Sequence, residues 1–407
     1  MYNIGEMLPL EKGLLTFNAI VYLIVAVFSY AYVDLNLTIS QNPLFLKFVQ
    51  SMQQLGYYNR PTATMIYTLL IILLFSLFIF NLWLFHKSKV GAKYLALSTI
   101  ANTFILIFAY PFLSSDLFNY LFDAKIILTY HASPYTHRPL DFPNDDWIRF
   151  MRWIHRYSPY GPFWLGFSLI PAALGFGKFI LNFLAFKIFI GIFHLVNTYL
   201  IFKILKKINP QKILLGTAFY ALNPLFLIEG VANAHNDVVL ATFILASIYF
   251  FVYKKAGLSY VALFAGTFVK YIPILNLPWL LSSTFIPKVT SHKWLILMNL
   301  VTMSIFTYLF SSFRITVPFV ASGATQVQFQ PWYLFWTLPL VALIPETTLI
   351  IASILIAIGA TLRYFPYLYY GVWSQPGTLT FMQTVTVVPI ILASIIFLAK
   401  IFRAKKK

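Results

Sequence analysis

Long apolar runs separated by short polar segments dominate the chain. The runs Leu14 to Val33 and Ala63 to Phe85 each reach about 20 residues or more, the length that a helix needs to cross roughly 30 Å of hydrocarbon. Lipid offers no hydrogen-bond partners to the backbone, so such runs must be helical. The pattern predicts an all-α, polytopic transmembrane protein, with residues 1–407 forming a single integral membrane domain.

Short clusters of basic residues lie between the apolar runs. They occupy His86 to Lys93, Lys203 to Lys212, Lys254 and Lys255, Lys288 to Lys293, and Arg403 to Lys407. Because the cytoplasmic loops of membrane proteins are enriched in Lys and Arg, we place all of these clusters, and both termini, in the cytoplasm. About twelve spans in a cytoplasmic membrane satisfy this arrangement, near 14–33, 63–85, 94–113, 180–202, 213–229, 237–253, 257–270, 272–286, 294–312, 332–345, 347–364 and 382–402.

Two apolar regions do not read as ordinary spans. Gly161 to Gly177 is short, is broken by Gly and Pro, and would invert the basic clusters if it crossed the membrane. We therefore predict that it is re-entrant or interfacial. The segments 257–270 and 272–286 are also short, and they meet at Lys270 and Pro273. This arrangement predicts a shallow helical hairpin.

Acidic residues are concentrated in one predicted outer loop, residues 114–178. Of the 11 Asp and Glu residues in the chain, Asp116, Asp123, Asp141, Asp145 and Asp146 fall there. A carboxylate in or beside the bilayer costs about 2.5 to 3.5 kcal/mol, so one retained at the end of a span usually has a partner or a function. We expect this large extracytoplasmic loop, with its interfacial helices, to carry the catalytic region.

The segment Ser114 to Tyr135 predicts an interfacial amphipathic helix, because its apolar residues recur at helical spacing. Asp116 lies at its start, where it can act as a general base or, with Ser115, simply cap the helix. Asp123 and Lys125 lie on the more polar side of the same helix, and we expect both to be solvated.

A second polar group surrounds the start of the predicted sixth span. It consists of Glu229, His235, Asn236 and Asp237. A His-x-Asp pair can contribute to a metal site, contact sugar hydroxyls or orient a phosphate-binding group; the alternative is a polar helix start. Two ligands do not define a coordination shell, so a divalent metal stays open as a cofactor and no other cofactor is indicated. The chain has no cysteine, which excludes a thiolate nucleophile.

Two cations are candidates for binding an anionic phosphate. Lys270 lies between two short apolar helices, and Arg314 follows the predicted ninth span. The alternatives are that Lys270 snorkels to the interface and that Arg314 is an ordinary loop residue. The net charge of +18 is dispersed rather than gathered in one stripe, so we expect membrane lipid and no nucleic acid among the partners.

Four aromatic residues have two interpretations each. Trp332 and Tyr333 follow Pro331 and can belong to the interfacial aromatic belt or, if the chain is a glycosyltransferase as the motifs described next imply by resemblance, stack on sugar. Tyr135 and Tyr160 each end a Ser-Pro-Tyr triplet, where they can shape a turn or contact sugar.

Several motifs occur in order between about residues 110 and 340. They are SSDLFNY with a following SPY, then SPYGPFWL from Ser158, NPLFLIEGVANAHNDVVLA from Asn223, FVKYIPIL from Phe268 and QPWYLFWTLPL from Gln330. With these motifs the chain resembles the polyprenyl-phosphate-mannose-dependent mannosyltransferases, and among them the actinobacterial alpha-1,6-mannosyltransferases.

The resemblance implies a GT-C fold and an inverting transfer of a hexose, mannose above all, from a polyprenyl-phosphate sugar donor to a glycan, glycolipid or protein acceptor. It implies that Asp116 is the general base, on the extracytoplasmic face, and it places Tyr120 among the substrate-binding residues. The alternative function is a secondary transporter or a flippase for a lipid-linked substrate, because a chain with many spans and broken helices also suits those classes.

Overall fold

The computed structural model describes residues 6–37, 39–286, 291–312, 315–316, 326–327 and 329–405. Within these residues the chain is helical apart from two short strands, which confirms the predicted all-α class. The strands β1 (Ile315–Thr316) and β2 (Gln326–Val327) pair antiparallel, with Ile315 opposite Val327. Arg314 lies outside the described residues.

The α-helices follow one another in chain order. The first eight are α1 (Pro9–Ser29), α2 (Pro43–Gln53), α3 (Arg60–His86), α4 (Ala92–Ile107), α5 (Asp116–Leu128), α6 (Pro162–Leu174), α7 (Phe179–Ile208) and α8 (Ile213–Ala221). The others described are α9 (Asp237–Val252), α10 (Ala256–Thr267), α11 (Leu277–Phe285), α12 (His292–Ser312), α13 (Leu338–Leu343), α14 (Thr347–Leu362), α15 (Phe365–Tyr370) and α16 (Thr378–Lys405). Short 3-10 helices cover Tyr30–Tyr32, Pro139–Asp141, Asp146–Phe150, Pro210–Lys212, Ile272–Asn276 and Pro331–Trp336, and π-helical turns cover Gln54–Tyr58 and Phe226–Ala232.

Among the described residues, 5 helical segments are long and apolar enough to cross a membrane. They are Pro9–Tyr32, Arg60–His86, Phe179–Ile208, Thr347–Tyr370 and Thr378–Lys400; Pro210–Ala221 and Phe226–Ala232, bent by 56°, make a sixth if they count as one span. This number is compatible with an integral membrane protein. Twelve spans stay a prediction, because Pro and Gly divide many of the apolar runs into helices shorter than a full crossing.

The basic clusters His86 to Lys93, Lys203 to Lys212, and Lys254 and Lys255 lie at the end of the helices away from Asp116 and His235. Lys254 and Lys255 follow α9, whose first residue is Asp237, and Lys254 shares a cleft with His292. Hydrogen bonds join segments that carry or adjoin the other clusters: Gly91 N to Glu11 Oε1 (2.7 Å), Tyr253 OH to Lys203 O (3.2 Å) and Lys212 Nζ to Pro345 O (3.1 Å). The fold therefore has a basic end and an opposite end, where the acidic motifs lie.

The two regions that we did not predict to be ordinary spans, Gly161 to Gly177 and 257–286, form short helices. In the segment Gly161 to Gly177, α6 has 13 residues, which is about 20 Å of helix. It begins beside Val269 and ends where Gly175 approaches Asn182 in the first turn of α7. The helices α10 and α11 form a hairpin in which Lys270 lies at the turn, and Tyr260 OH donates to Thr284 Oγ1 (3.1 Å) near its open end.

The centre of the fold is the broken helical segment from α8 to α9. Every residue from 215 to 242 is buried. The helix breaks after Leu222, because Pro224 has no N–H and the side chain of Asn223 instead accepts a hydrogen bond from Leu225 N (3.0 Å). A π-helical turn and then a tight turn follow before α9 begins at Asp237. These breaks place Glu229 and His235 inside the protein.

Candidate active site

Asp116, His235 and Glu229 form a row at the start of α5. Asp116 Oδ2 lies 3.5 Å from His235 Nδ1, and Glu229 Oε2 lies 3.4 Å from His235 Nε2. The imidazole and the Glu229 side chain are fully buried, whereas the Asp116 side chain is 19% accessible. The row therefore has one open end, which is the Asp116 carboxylate.

The three charges of this row are strongly coupled. Burial alone would lower the pKa of His235, but the flanking Asp116 and Glu229 carboxylates outweigh it and raise the pKa to about 9. Burial likewise opposes ionisation of Asp116, yet His235, with help from Lys270 and Arg156, holds the pKa of Asp116 below its ordinary value. At neutral pH the structure therefore favours an imidazolium at His235 beside an ionised Asp116.

The turn that carries His235 is held from several sides. Trp332 stacks on the imidazole, with ring centroids 3.9 Å apart and planes 20° apart. Asn233 Nδ2 donates to Glu229 Oε2 (3.0 Å), and Asn233 Oδ1 accepts from Leu113 N (3.2 Å). Ala234 adopts φ 58°, in the left-handed region that disfavours a residue with a Cβ. This strain at a buried turn is typical of a functional site.

A second charged group lies beside the row. Lys270 Nζ lies 2.6 Å from Asp237 Oδ2, and Trp336 Nε1 donates to Asp237 Oδ1 (2.8 Å). Asp237 is fully buried with both oxygens engaged, while the Lys270 side chain is 18% accessible. The accessible part of this group is therefore the Lys270 side chain.

The SPYGP loop is fastened to the turn that carries Lys270. Gly161 N donates to Val269 O (3.1 Å), and Phe163 N donates to Phe268 O (3.0 Å). A Cβ on Gly161 would lie 2.0 Å from Phe268 O, so only glycine allows this approach.

Aromatic residues connect α5 to this loop. Tyr120 meets Tyr160 and Trp164 edge to face, with centroids 5.1 and 4.9 Å apart, and its hydroxyl accepts from Asn236 N (3.4 Å). Tyr135 OH donates to Tyr160 O (2.8 Å). The three tyrosines therefore hold the loop, the helix and the His235 turn in one arrangement.

Helix α7 supports the broken segment from behind. Lys187 Nζ donates to Val231 O (2.5 Å) and to Ala232 O, and Asn197 Nδ2 donates to Val238 O (2.9 Å). His194 Nε2 lies 3.3 Å from Ala221 O. These side chains share one face of α7. Lys187 and His194 contact carbonyls beside the helix breaks, and Asn197 contacts the first turn of α9. They position the segment that carries Glu229 and His235.

The structure brings most of the predicted site residues together. Around the two charged groups lie Asp116, Tyr120, Tyr160, Glu229, His235, Asn236, Asp237, Lys270, Trp332 and Tyr333, with Tyr333 stacked on Trp336 at 4.3 Å. The side-chain amide of Asn236 is buried without a hydrogen bond in the described chain. Tyr135 lies at the edge with its ring exposed.

Two expectations about α5 need revision. Ser115 occupies the N-cap position but makes no capping hydrogen bond through its side chain, and Asp116 faces His235 instead. Helix capping therefore does not explain Asp116. The expectation that Asp123 and Lys125 are solvated is wrong: Asp123 is buried, and Lys125 pairs with Asp145 at 2.6 Å. Residues of the following loop cover this side of the helix.

The sequence analysis missed Lys187, Asn233 and Trp336. Lys187 had a signal, because it is the lone Lys or Arg in the apolar run 179–202, where a charge is costly without a partner. Asn233 and Trp336 had none beyond their motifs. No group of three or more His, Cys, Asp or Glu side chains in the described ranges is placed to hold a metal ion.

The row of Asp116, His235 and Glu229, the adjacent Lys270 and a helical fold with several membrane-length helices are compatible with a membrane-embedded enzyme. The family model for alpha-(1->6)-mannopyranosyltransferase, N-terminal domain (the MptA/B family), matches residues 17–285, and the chain belongs to this family. It is accordingly a mannosyltransferase-like enzyme, for which the family implies a sugar donor and a glycan acceptor. No curated protein matches the chain, and no solved structure does.

Proposed function

We propose that this enzyme transfers mannose from a polyprenyl-phosphate donor to a hydroxyl of a glycan acceptor, with inversion, and that Asp116 is the general base. One observation carries the proposal. Of the three site carboxylates, Asp116 is 19% accessible, whereas Glu229 and Asp237 are fully buried. An acceptor hydroxyl can therefore reach Asp116 and neither of the others.

The reaction is a single displacement. The acceptor oxygen attacks C1 of mannose while its proton passes to the Asp116 carboxylate, and the bond from C1 to the phosphate oxygen breaks with its electron pair leaving on the phosphate. Attack from the side opposite the leaving group inverts C1. A base must be ionised to accept the proton, and the His235 imidazolium keeps Asp116 in that form.

Lys270 is suited to the leaving phosphate. Its ammonium group has three donors, and Asp237 engages one side of it at 2.6 Å. Its accessible side can approach the phosphate as negative charge develops there, which stabilises the transition state. Asp237 and Trp336 then act by orienting Lys270.

The arrangement of charges supports the remaining parts of the proposal. The basic clusters lie at the end opposite the site, so the positive-inside rule favours cytoplasmic termini and an extracytoplasmic site in a cytoplasmic membrane. A helix or a broken helix coincides with each predicted span, which favours twelve spans in a GT-C fold. A transporter is disfavoured, because the ionisable site residues gather at one end of the helices and the family is one of transferases.

The test compares wild type with Asp116→Asn, each purified into lipid, in the transfer of radiolabelled mannose from polyprenyl-phosphate-mannose. We expect transfer to fall at least about 100-fold, as for loss of a general base, with donor binding retained. Asp141→Asn is the matched control, because Asp141 is exposed and paired with Arg138 in the same loop. Equal transfer by Asp116→Asn and wild type would refute Asp116 as the general base.

A further inference from the structure

Two adjacent residues beyond the matched part of the chain reach the surroundings of His235. Arg363 and Tyr364 connect α14 to α15, and they are 2% and 4% exposed. The family match ends at residue 285, so it covers neither of them. A buried guanidinium is costly unless its donors are engaged, and a buried tyrosine hydroxyl usually has a hydrogen-bond partner. The partners of these two groups therefore show what they hold in place.

Arg363 holds the segment that carries Trp332. Its guanidinium donates through Nη2 to Phe329 O (3.0 Å) and lies over the Phe329 ring, 5.1 Å from the centroid. Through Nη1 it donates to Thr386 Oγ1 (2.6 Å) and to a backbone carbonyl of α16 (3.0 Å). No carboxylate in the described ranges pairs with it. Phe329 precedes Trp332 by three residues, so Arg363 fastens the segment whose indole stacks on His235.

Tyr364 meets the other support of His235. Its hydroxyl is buried and faces the Glu229 carboxylate, and it has no other partner among the described residues. Glu229 Oε2 already contacts Asn233 and His235, which leaves Oε1 as the oxygen that Tyr364 can engage. Tyr67 of α3 also lies near Glu229, but its hydroxyl donates to a backbone carbonyl of α14 (2.8 Å). Tyr364 is therefore the phenol available to this carboxylate.

We propose that Arg363 and Tyr364 are positioning residues for His235. Arg363 fixes the indole that covers one face of the imidazole, and Tyr364 donates to the carboxylate that faces Nε2. The inference rests on the proposed function, because His235 in turn holds Asp116, the proposed general base. Since Arg363 and Tyr364 are consecutive, one short segment of backbone after α14 controls both supports of the ring.

The kinetic test uses Tyr364→Phe, which removes only the hydroxyl. We expect kcat for mannose transfer to fall about 10-fold, as for loss of one hydrogen bond to a charged group. The KM for the donor should not change, because Tyr364 is buried behind the row. Introduced into His235→Asn, the same substitution should have almost no further effect, since residues that act as a unit are not additive.

Two further variants complete the kinetic test. Arg363→Lys keeps the charge but loses the planar set of donors, so kcat should fall with donor KM unchanged. Tyr94→Phe is the matched control, because the Tyr94 hydroxyl is also buried but donates to Asn81, beside the basic cluster His86 to Lys93. Its kcat should equal that of wild type.

Two results would overturn the inference. One is an unchanged kcat in Tyr364→Phe and Arg363→Lys. The other is an equal loss from Tyr364→Phe in wild type and in His235→Asn, because such an effect does not pass through His235.

If wild type transfers no mannose, the proposed reaction fails, and thermal unfolding then decides whether Tyr364 holds Glu229. The combined variant Tyr364→Phe with Glu229→Gln should melt close to Glu229→Gln alone, since both changes remove the same contact. Additive decreases in Tm would refute that contact and, with it, the positioning role of Tyr364.

Discussion

Asp116 and Asp123 lie on one face of α5, yet their surroundings are opposite. Asp116 meets His235 and is influenced by Lys270, which keep its pKa below the ordinary value despite burial. Asp123 is enclosed without a paired cation, so burial raises its pKa to about 7, and the Ser158 hydroxyl and the charge of Arg156 only partly oppose this. The chemistry of a carboxylate on this helix is therefore decided by residues that arrive from distant parts of the chain.

The largest effect that we expect from this contrast is on stability. The pKa of Asp123 rises from 3.8 to about 7 on folding, so the folded state binds more protons than the unfolded state between these values. The free energy of unfolding must then decrease as pH rises through this window, by up to about 4 kcal/mol. Asp123→Asn should abolish this loss and melt at a higher temperature than wild type at pH 8.

Thermal unfolding of both proteins in lipid at pH 5 and pH 8 checks this expectation. The stabilisation by Asp123→Asn should be several times greater at pH 8. A variant that melts below wild type at pH 8 would mean that the ionised carboxylate has a partner in the folded protein. The expected result would identify Asp123 as a buried carboxyl group whose ionisation lowers the free energy of unfolding.

The second largest effect that we expect is on the ionisation of Asp116, the proposed general base. His235→Asn removes the cation that keeps Asp116 ionised, so the pKa of Asp116 should rise and the acidic limb of the pH profile of kcat should move to higher pH. Loss of orientation should lower kcat by about 100-fold, within the range for general-base catalysis. Rates measured from pH 3 to 9 test both parts, with His86→Asn, an exposed histidine at the end of α3, serving as the control. A lowered kcat with an unmoved acidic limb would assign His235 a purely structural role.

The smallest effect should come from the strained turn beside His235. Ala234→Gly relieves the cost of φ 58°, which exceeds the added entropy of glycine, so we expect a gain of about 0.5 to 1 kcal/mol in the free energy of unfolding. The kcat should nevertheless fall, since the more pliable turn holds His235 less firmly. Thermal melts and initial rates measure the two effects. If Ala234→Gly were less stable than wild type and fully active, the conclusion that the backbone of Ala234 is strained would be wrong.

Local pattern was sufficient for the helical class, because apolar run length is a signal within a few residues. A carboxylate beside a predicted span marked Asp116 as a candidate, and its role as the base stays a proposal. The turn at Lys270 was also predictable from local pattern, since Pro273 interrupts the apolar run. The environment of Asp123 was not, because it depends on Arg156 and Ser158 in the following loop. Helical spacing showed only which side of α5 was polar, and it could not show that another segment covers that side.

The row of Asp116, His235 and Glu229 illustrates the same limit within the site. Glu229 and His235 are close in sequence, so their association was visible as a motif. Their contact with Asp116 and the stacking of Trp332 on His235 join segments that are about a hundred residues apart. No local period encodes such contacts, and the family's motif order was the only sign of them in the sequence.

Lys187 has a consequence for how the protein is made. It lies in the third turn of a 30-residue apolar helix, and the carbonyls that it contacts belong to Val231 and Ala232. A chain is synthesised from its N-terminus, so α7 is complete before these partners leave the ribosome. Until they arrive, the ammonium group must stay hydrated or be held by the insertion machinery, because it is costly in lipid. We therefore expect α7 to reach its final position only after the broken segment from α8 to α9 has been synthesised and has packed against it.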